Sequence, residues 1–308
     1  DNSSMRTTHF SKIALFCVVF AHSSTLTAQQ DDDDVELLPI DEVALELSHP
    51  ATSLVYMENR FEFRDYQGNL ADAAEQSAWR YEFETVWPIE LKNGKNIQFR
   101  AMIPINADQP LYEMGNHDFP EWKIRQYADV LPQDSYFKLG HDHLADVEFD
   151  VAYSGVSDSG LITLFGARMV FPTSQDFSSG RDQFLLGPEV AVGKITSWGV
   201  FGATASHVTD IGGEDEYNTN MSTIDVFFSW GFGNGWQIVS NPKIEYDWEG
   251  ADDNKLLLPI GAGVAKTFRI RSTPVKLNLE LYKYIETTEA LGPDWMFSFR
   301  LTPVLFSP

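Results

Sequence analysis

The sequence predicts an all-β fold: an up-and-down antiparallel transmembrane β-barrel of about 12 strands, preceded by a cleaved signal peptide. Two observations lead to this fold class. Strand-like segments alternate apolar and polar side chains over about ten residues, and the connections between them alternate in length along the chain. Both patterns are typical of strands that cross a bilayer and return.

The alternation is clearest in a hairpin that covers Thr223 to Tyr246. One face from Ile224 to Phe232 is apolar, whereas the opposite face is polar or small. The triplet Gly233-Asn234-Gly235 then supplies residues that tolerate positive φ, so a tight turn is expected. The alternation resumes at Trp236, and aromatic residues concentrate toward the ends of both arms. Strands anchored at the two interfaces of a membrane have this distribution.

Twelve segments are predicted as strands. They are Leu54–Arg64, Trp79–Leu91, Asn96–Ile105, His143–Tyr153, Leu161–Val170, Phe184–Lys194, Gly199–Val208, Thr223–Gly231, Trp236–Tyr246, Leu256–Phe268, Pro274–Tyr284 and Trp295–Phe306. The connections after odd-numbered strands are long and those after even-numbered strands are short, as a barrel with both termini in the periplasm requires. Ten or fourteen strands remain possible, because two segments, Gly199–Val208 and Leu256–Phe268, alternate poorly.

The first part of the chain is predicted to lie outside the barrel. Residues 5–28 are predicted to be a signal peptide, since Arg6 and Lys12 precede an apolar run that small residues follow. Residues 29–53 are predicted to be an acidic N-terminal periplasmic segment, and residues 54–308 the outer-membrane β-barrel. The acidic segment is interpreted as a solvated linker, with a partner-binding segment as the alternative.

The composition excludes some function classes. The net charge of -23, with only 22 Lys and Arg residues, argues against a nucleic-acid partner. After the signal peptide, no stretch of about 18 apolar residues could form a spanning helix. The only cysteine, Cys17, lies within the apolar run of the signal peptide, so the mature chain is expected to have no disulfide bond.

The polar faces of the strands carry charges of both signs, which are expected to face the barrel interior. The candidates for lumen-lining residues are Glu82, Glu84, Arg100, Asp146, Glu148, Asp150, Arg168, Glu189, Asp225, Lys243, Glu245, Lys276, Glu280 and Arg300. These side chains either pair and fill a narrow barrel or line a water-filled path. On the second interpretation, an acidic stripe opposes arginines from other strands across the lumen. On either interpretation, the fold is expected to tolerate a neutral substitution on the interior face, such as Glu280→Gln.

Several phrases of the sequence occur in the order found in one known family. They are LSHPATSL (Leu47–Leu54), ELKNGKNIQFRAMIPI (Glu90–Ile105), LLGPEVAVGK with the following WG (Leu185–Gly199), SNPKIEYDWEG (Ser240–Gly250) and GPDWMFSFRLTPV (Gly292–Val304). Over these residues the chain resembles the meta-pathway phenol-degradation family of Gram-negative outer-membrane β-barrel proteins, which are described as transporters. The resemblance implies an outer-membrane barrel and leaves its substrate open.

Other chemistry has weaker support in the sequence. His141, His143 and Asp146 could hold a divalent metal, but surface residues explain this pattern better because no other His or Cys completes the shell. Ser206 and His207 are neighbours and would point to opposite faces of a strand, which argues against a hydrolase. The acidic loops at 214–216 and 249–253 could bind calcium, although solvated loops explain them as well.

The leading hypothesis is therefore an outer-membrane channel or transporter for small solutes, possible cargoes including hydrophobic or aromatic compounds. No catalytic residue, cofactor or metal is predicted. The expected partners are outer-membrane lipid, lipopolysaccharide and the solute, and the protein is expected to be a monomer. The alternatives are a structural or adhesive barrel that acts through its long loops and an outer-membrane enzyme. The sequence leaves open whether the longest loop, residues 106–142, folds inward as a plug.

Overall fold

The computed structural model describes residues 37–306, with gaps at 116, 133–134, 141–142 and 175. The predicted signal peptide and the first part of the acidic segment lie outside the described residues. The described α-helices are α1 (Ile40–Glu46) and α2 (Glu121–Tyr127), and two short 3-10 helices lie at Ala73–Glu75 and Ala128–Val130. The described strands are β1 (Val55–Gln67), β2 (Ser77–Glu90), β3 (Asn96–Ala107), β4 (Pro110–Met114), β5 (His117–Pro120), β6 (Tyr136–Leu139), β7 (His143–Leu144), β8 (Val147–Val156), β9 (Leu161–Phe171), β10 (Gln183–Thr196), β11 (Gly199–Gly213), β12 (Asn220–Gly233), β13 (Trp236–Ser240), β14 (Lys243–Asp247), β15 (Leu256–Ile270), β16 (Thr273–Glu286) and β17 (Gly292–Phe306).

The long strands close into one antiparallel barrel. The order around it is β1, β2, β3, β8, β9, β10, β11, β12, then β13 and β14 as one interrupted strand, then β15, β16 and β17. The pairing of β17 with β1, which places Arg300 beside Arg60, completes the circle. The barrel therefore has 12 strands, and the predicted fold class is confirmed.

The interruption between β13 and β14 has a local cause. The sequence predicts a single strand here, but Pro242 has no N–H to donate to a neighbouring strand. The missing donor faces β12, where one bond of the pair remains: the backbone N–H of Val226 donates to the carbonyl of Pro242 at 3.0 Å. Against β15 the ladder stops, and the backbone N–H of Asn241 donates to the hydroxyl of Tyr282 at 2.8 Å instead. A side chain thus takes over one ladder bond.

The outer surface of the barrel is apolar and is bordered by aromatic side chains. The predicted tight turn is present, with Asn234 and Gly235 at positive φ. Beside this turn, Trp230, Phe232 and Trp236 are exposed on the outer surface. Backbone groups of a closed barrel are all paired within the wall, which is what a membrane-spanning sheet requires. No helix among the described residues is long and apolar enough to cross a membrane.

A small extra domain lies on the end that carries the long connections. The strands β4, β5 and β6 form a three-stranded sheet outside the barrel wall. The buried residues of α2 and this sheet join the end of β1 in one apolar cluster, which includes Tyr66, Tyr112, Phe119, Ile124 and Leu291. The longest connection is therefore a packed unit that is fixed to the barrel.

The position of β16 in the membrane predicts that the cost of an introduced charge depends on its depth. Leu279 and Ile285 both lie on the outer face of this strand and are about half exposed. We expect Leu279→Arg to lower the free energy of unfolding by roughly 2–4 kcal/mol, because the position lies in the middle of the strand, whereas Ile285→Arg near the interface should cost about 0–1 kcal/mol. Denaturant unfolding in lipid vesicles measures both; equal costs would contradict the assigned membrane position.

Candidate functional site

The barrel encloses a chamber of about 430 Å³. Its walls are polar side chains from the inner faces of the strands, such as Glu82 and Arg100. Its floor is the segment that precedes β1, represented by Ser48 and His49, and its roof is α2, represented by Trp122. The chamber is thus bounded at both ends by segments that are not part of the barrel wall.

The floor, defined here as residues 38–54, is packed into the end of the barrel that carries the short turns. Ala51 packs with Ile162, Val200 and Phe227, which are inward-facing residues of three different wall strands. On another side, Val43 and Leu54 pack with Val304 of β17. This part of the acidic segment, expected from sequence to be a periplasmic linker, therefore lies inside the barrel.

Wall side chains hold the floor by its backbone groups. The ammonium of Lys276 lies 2.6 Å from the hydroxyl of Ser48 and 3.3 Å from the carbonyl oxygen of Ala44. The amide of Gln237 donates to the same carbonyl at 3.2 Å. From β3, the Gln98 amide donates to the carbonyl of Thr52 at 2.8 Å. The anchors thus come from three separate strands.

A further contact ties the start of α1 to a short turn. The carboxylate of Asp41 accepts the backbone N–H groups of Asn234 at 3.2 Å and Gly235 at 2.5 Å. The acidic side chain lies in the first turn of the helix, where negative charge is favourable. Polar contacts therefore hold the floor both at the start of α1 and along the residues that follow.

The roof is held by carbonyl groups of the long connections. Arg125 of α2 is buried, and its guanidinium donates to the backbone oxygens of Asn254 at 3.4 Å and Lys255 at 2.8 Å. The neighbouring Gln126 donates to the backbone oxygen of Asn218 at 3.1 Å. These acceptors lie in two different connections, so α2 spans the mouth of the barrel.

Aromatic side chains fix the other face of α2. The ring centroid of Trp122 lies 5.1 Å from that of Phe177 and 4.7 Å from that of Tyr217. The guanidinium of Arg181 lies 4.9 Å from the centroid of Trp122, and the ammonium of Lys123 lies 4.6 Å from that of Phe177. Burial lowers the pKa of Arg181, and burial raises the pKa of Tyr217 to about 12. The roof is therefore closed by cation–π contacts as well as by hydrogen bonds.

One group of wall charges lies on four neighbouring strands. Asp150 of β8 is paired with Arg100 of β3 (Nε–Oδ2, 2.6 Å) and with Arg168 of β9 (Nε–Oδ1, 3.3 Å). Glu189 of β10 contacts the same two arginines at 3.0 Å and 3.8 Å. The two carboxylates thus share two guanidinium groups.

A second group occupies β1 and β2. Arg60 binds Glu58 at 2.9 Å and Glu82 at 3.0 Å. Glu82 also accepts a hydrogen bond from Arg80 at 2.6 Å. Farther along β1, Arg64 contacts Glu62 at 2.8 Å. Charges of opposite sign on adjacent strands and at i, i+2 positions therefore neutralise one another along this wall.

The third group lies on β14, β16 and β17. Arg300 contacts Glu280 at 3.4 Å, and Glu280 is fully buried. The Glu280 carboxylate also accepts hydrogen bonds from the amide of Asn241 at 3.0 Å and from the hydroxyl of Tyr282. Lys243 on β14 contacts its neighbour Glu245 at 3.3 Å.

Most of the predicted lumen candidates lie at the chamber surface. Asp150, Glu189 and Glu280 lie behind it, in the ion pairs described above. The other eleven line the chamber, namely Glu82, Glu84, Arg100, Asp146, Glu148, Arg168, Asp225, Lys243, Glu245, Lys276 and Arg300. The sequence did not predict the inward orientation of Arg125 in the roof or of Arg181 beside it, because inward orientation of a loop has no periodic signature.

The expected arrangement of the acidic stripe is different in the structure. Asp146 precedes β8, and its carboxylate accepts the backbone N–H groups of Ser174 at 3.0 Å and Arg181 at 2.8 Å. Burial raises the pKa of Asp146, whereas these backbone hydrogen bonds lower it. Asp150 lies between arginines of the two adjacent strands, because cross-strand neighbours are only about 5 Å apart. The charges are therefore paired side by side and do not form opposed acidic and basic walls.

The structure gives little support to the metal site and the hydrolase considered in the sequence analysis. One member of the suggested metal cluster, His141, lies outside the described residues, and His143 Nε2 lies 3.3 Å from Asp176. Among the residues that are described, no group of three or more His, Cys, Asp or Glu side chains could hold a metal ion. Ser206 faces the interior and accepts a hydrogen bond from Arg168, while His207 pairs with Ser222 at 2.9 Å.

The fold is similar to solved outer-membrane barrels. The COG4313 outer membrane channel from Pseudomonas putida F1 is 8% identical, with a TM-score of 0.55 over 84% of this chain and 98% of that chain. The NanC porin is 11% identical, with a TM-score of 0.46 over 82% and 100% of the two chains. Outer membrane phospholipase A from Escherichia coli is 12% identical, with a TM-score of 0.37 over 91% and 95%. No protein-family model and no curated protein matches the sequence.

The channel from Pseudomonas putida establishes the fold at this low identity. The closed wall of 12 strands, its apolar outer surface and its charged interior agree with that fold. The chain is a transmembrane β-barrel of the bacterial outer membrane.

Proposed function

We propose that this protein is an outer-membrane channel for small solutes and that the chamber is its passage in a closed state. The observation that carries the proposal is a chamber of about 430 Å³ inside the barrel, with the floor at one end and α2 at the other. Ligand pockets in proteins have volumes of about 300–1,000 Å³, so the chamber is large enough for a small organic molecule.

The nature of the two closures supports passage. Neither the floor nor α2 contributes a strand to the wall, and polar side chains such as Lys276 and Arg125 hold both in place. Movement of either segment would break these contacts and leave the hydrogen bonds between the wall strands intact. A solute could therefore pass without any opening of the barrel wall.

The lining argues for a solute that carries polar groups. Charged side chains from β1, β2, β3 and β14 face the chamber, and a wholly apolar molecule would have to desolvate them without replacing their contacts with water. We further propose that the chain is a member of the phenol-degradation family, on the strength of the sequence phrases it shares. The proposed partners are lipid, lipopolysaccharide and solute around a monomeric barrel.

The proposal assigns no catalytic role to the chain. Ser206 and His207 lie on opposite faces of β11, so the adjacent pair cannot act together as nucleophile and base. The longest connection also turns Glu121, Trp122 and Arg125 toward the chamber, which supports a role at the channel mouth more than adhesion to an external partner.

Solute permeation tests the proposed function. Liposomes that contain the refolded protein should swell in an isosmotic solution of a small neutral solute such as arabinose and should stay stable in a larger one such as raffinose, because passage is limited by the chamber. Liposomes without protein are the control. If neither the protein nor a variant without the floor permits swelling in arabinose, the barrel is not a channel.

A further inference from the structure

Within the ion pairs of the wall, the two partners differ in how far they are exposed to the chamber. Four arginines of β1, β2 and β3, namely Arg60, Arg64, Arg80 and Arg100, keep between 22% and 26% of their side-chain surface exposed. The carboxylates that pair with them are exposed by only 3% to 14%. The acids therefore lie against the wall, and the guanidinium groups lie above them.

This layering decides which charge a solute meets. A count of charges suggests a neutral lining, but a solute in the chamber touches the outer layer, which on this wall is cationic. The pairs Arg168–Glu148 and Arg125–Glu245 have the reverse order, with the acid more exposed than the arginine. Glu148 lies on β8, the strand next to β3, and Glu245 lies on β14, so the basic surface covers β1 to β3 and ends at β8.

One donor on this surface has no partner. Among the described residues, none accepts a hydrogen bond from Nε of Arg64, although the atom is buried. Its Nη2 is already bound to Glu62. A buried N–H without an acceptor is costly, so a shift of the Arg64 side chain that brings this N–H to an anion in the chamber would remove that cost. Guanidinium groups also match the planar shape of a carboxylate or a sulfonate.

Three apolar side chains lie on the opposite wall at the same end of the barrel. Leu185 of β10, Val208 of β11 and Met221 of β12 face the chamber on three neighbouring strands. In the order of the 12 strands, β11 is six positions from β1, which places it across the lumen. A molecule that spans the chamber would therefore contact guanidinium groups on one side and hydrocarbon on the other.

We propose that the chamber binds small organic anions that join one carboxylate or sulfonate to an apolar body. This inference rests on the proposed function, because it names the class of solute that the same passage takes. The anionic group binds the arginines of β1 to β3, and the apolar body packs on the patch formed by Leu185, Val208 and Met221. The chamber is expected to select anions because arginines form its exposed layer, even though the whole chain has a net charge of -23.

Binding of three matched probes tests the inference. Benzoate, benzyl alcohol and benzylamine share one ring and differ in charge. Titration calorimetry on the full mature chain in detergent should detect benzoate binding that weakens as KCl is raised, since salt screens the interaction. Benzyl alcohol and benzylamine should bind about tenfold more weakly or not at all, as they lack the charge-assisted bond. Acetate should also bind more weakly than benzoate, because it cannot reach the apolar patch.

Arginine variants identify the site. Arg80→Gln should weaken benzoate binding about tenfold, the loss expected for one charge-assisted hydrogen bond. This variant should fold, because Glu82 keeps its contact with Arg60 at 3.0 Å. Arg64→Gln is a second variant with the same expectation. Arg271→Gln is the matched control, since Arg271 is exposed in a short turn and should leave the affinity unchanged.

The outcomes separate this inference from the proposed function. Equal binding of benzoate and benzylamine, or full affinity in both arginine variants, would overturn the anion site even if liposomes swell. Benzoate binding without any solute permeation would instead uphold the site and overturn the channel. In a salt gradient across a planar bilayer, a reversal potential that indicates cation preference would also contradict the inference.

Discussion

Deletion of residues 38–50 should raise the single-channel conductance of the refolded protein several-fold. These residues form most of the floor, and their removal connects the chamber to the periplasmic end of the barrel. The wall should stay closed, because the floor contributes no strand to it. Planar-bilayer recordings measure the conductance, and resistance of the folded barrel to detergent on a gel verifies that the variant is folded.

A milder change should have an intermediate effect. Lys276→Met together with Gln237→Leu removes the two wall side chains that donate to the carbonyl of Ala44, while the floor itself remains. We expect brief openings to the high conductance of the deletion variant. An unchanged conductance in the deletion variant would show that the floor does not limit passage.

Glu280→Gln should be the most destabilising single change among the wall charges. The carboxylate is fully buried and is the ion-pair partner of Arg300, so the variant leaves this guanidinium, which is only 12% exposed, without its ion-pair partner. Breaking a buried pair in this way costs on the order of 3–5 kcal/mol. The structure thus reverses the expectation from sequence that this change is tolerated. Denaturant unfolding in lipid vesicles measures the loss.

Glu148→Gln is the matched control for this change. Glu148 is more exposed than its partner Arg168, and Arg168 keeps Asp150 at 3.3 Å and Glu189 at 3.8 Å. We expect a loss of about 1 kcal/mol or less. Similar losses in the two variants would mean that the interior is uniformly hydrated and that burial of Glu280 has no energetic consequence.

The wall of the barrel could be predicted from sequence because its signals are local. Alternation along each strand and the lengths of the connections together predict about 12 strands and their inward and outward faces. The predicted ends of the strands are less accurate. For β11 the pattern predicts an end at Val208, whereas pairing continues to Gly213. Hydrogen bonds of a sheet can continue beyond the membrane, where the apolar alternation is no longer needed.

The contents of the barrel could not be predicted in the same way. The floor consists of a short helix and a turn, and Leu47 and Ala51 have no periodic pattern that distinguishes a linker from a plug. The layering of the charges is also not in the sequence, since Arg60 and Glu62 have the same inward parity on β1. Which of two paired side chains is exposed depends on side-chain length and on neighbours across several strands.

The most direct test of the closed passage uses an engineered disulfide bond, which oxidation forms and a reducing agent breaks. Asp41 lies against the turn at Asn234, and Cys17, in the predicted signal peptide, is the only cysteine of the whole chain. In the mature double variant Asp41→Cys and Asn234→Cys, a disulfide would hold the floor in place, and a reducing agent would release it. Recording one bilayer before and after the reducing agent should show a channel that is silent while oxidised and conducts once reduced, whereas the same conductance in both states would contradict the role of the floor as a closure.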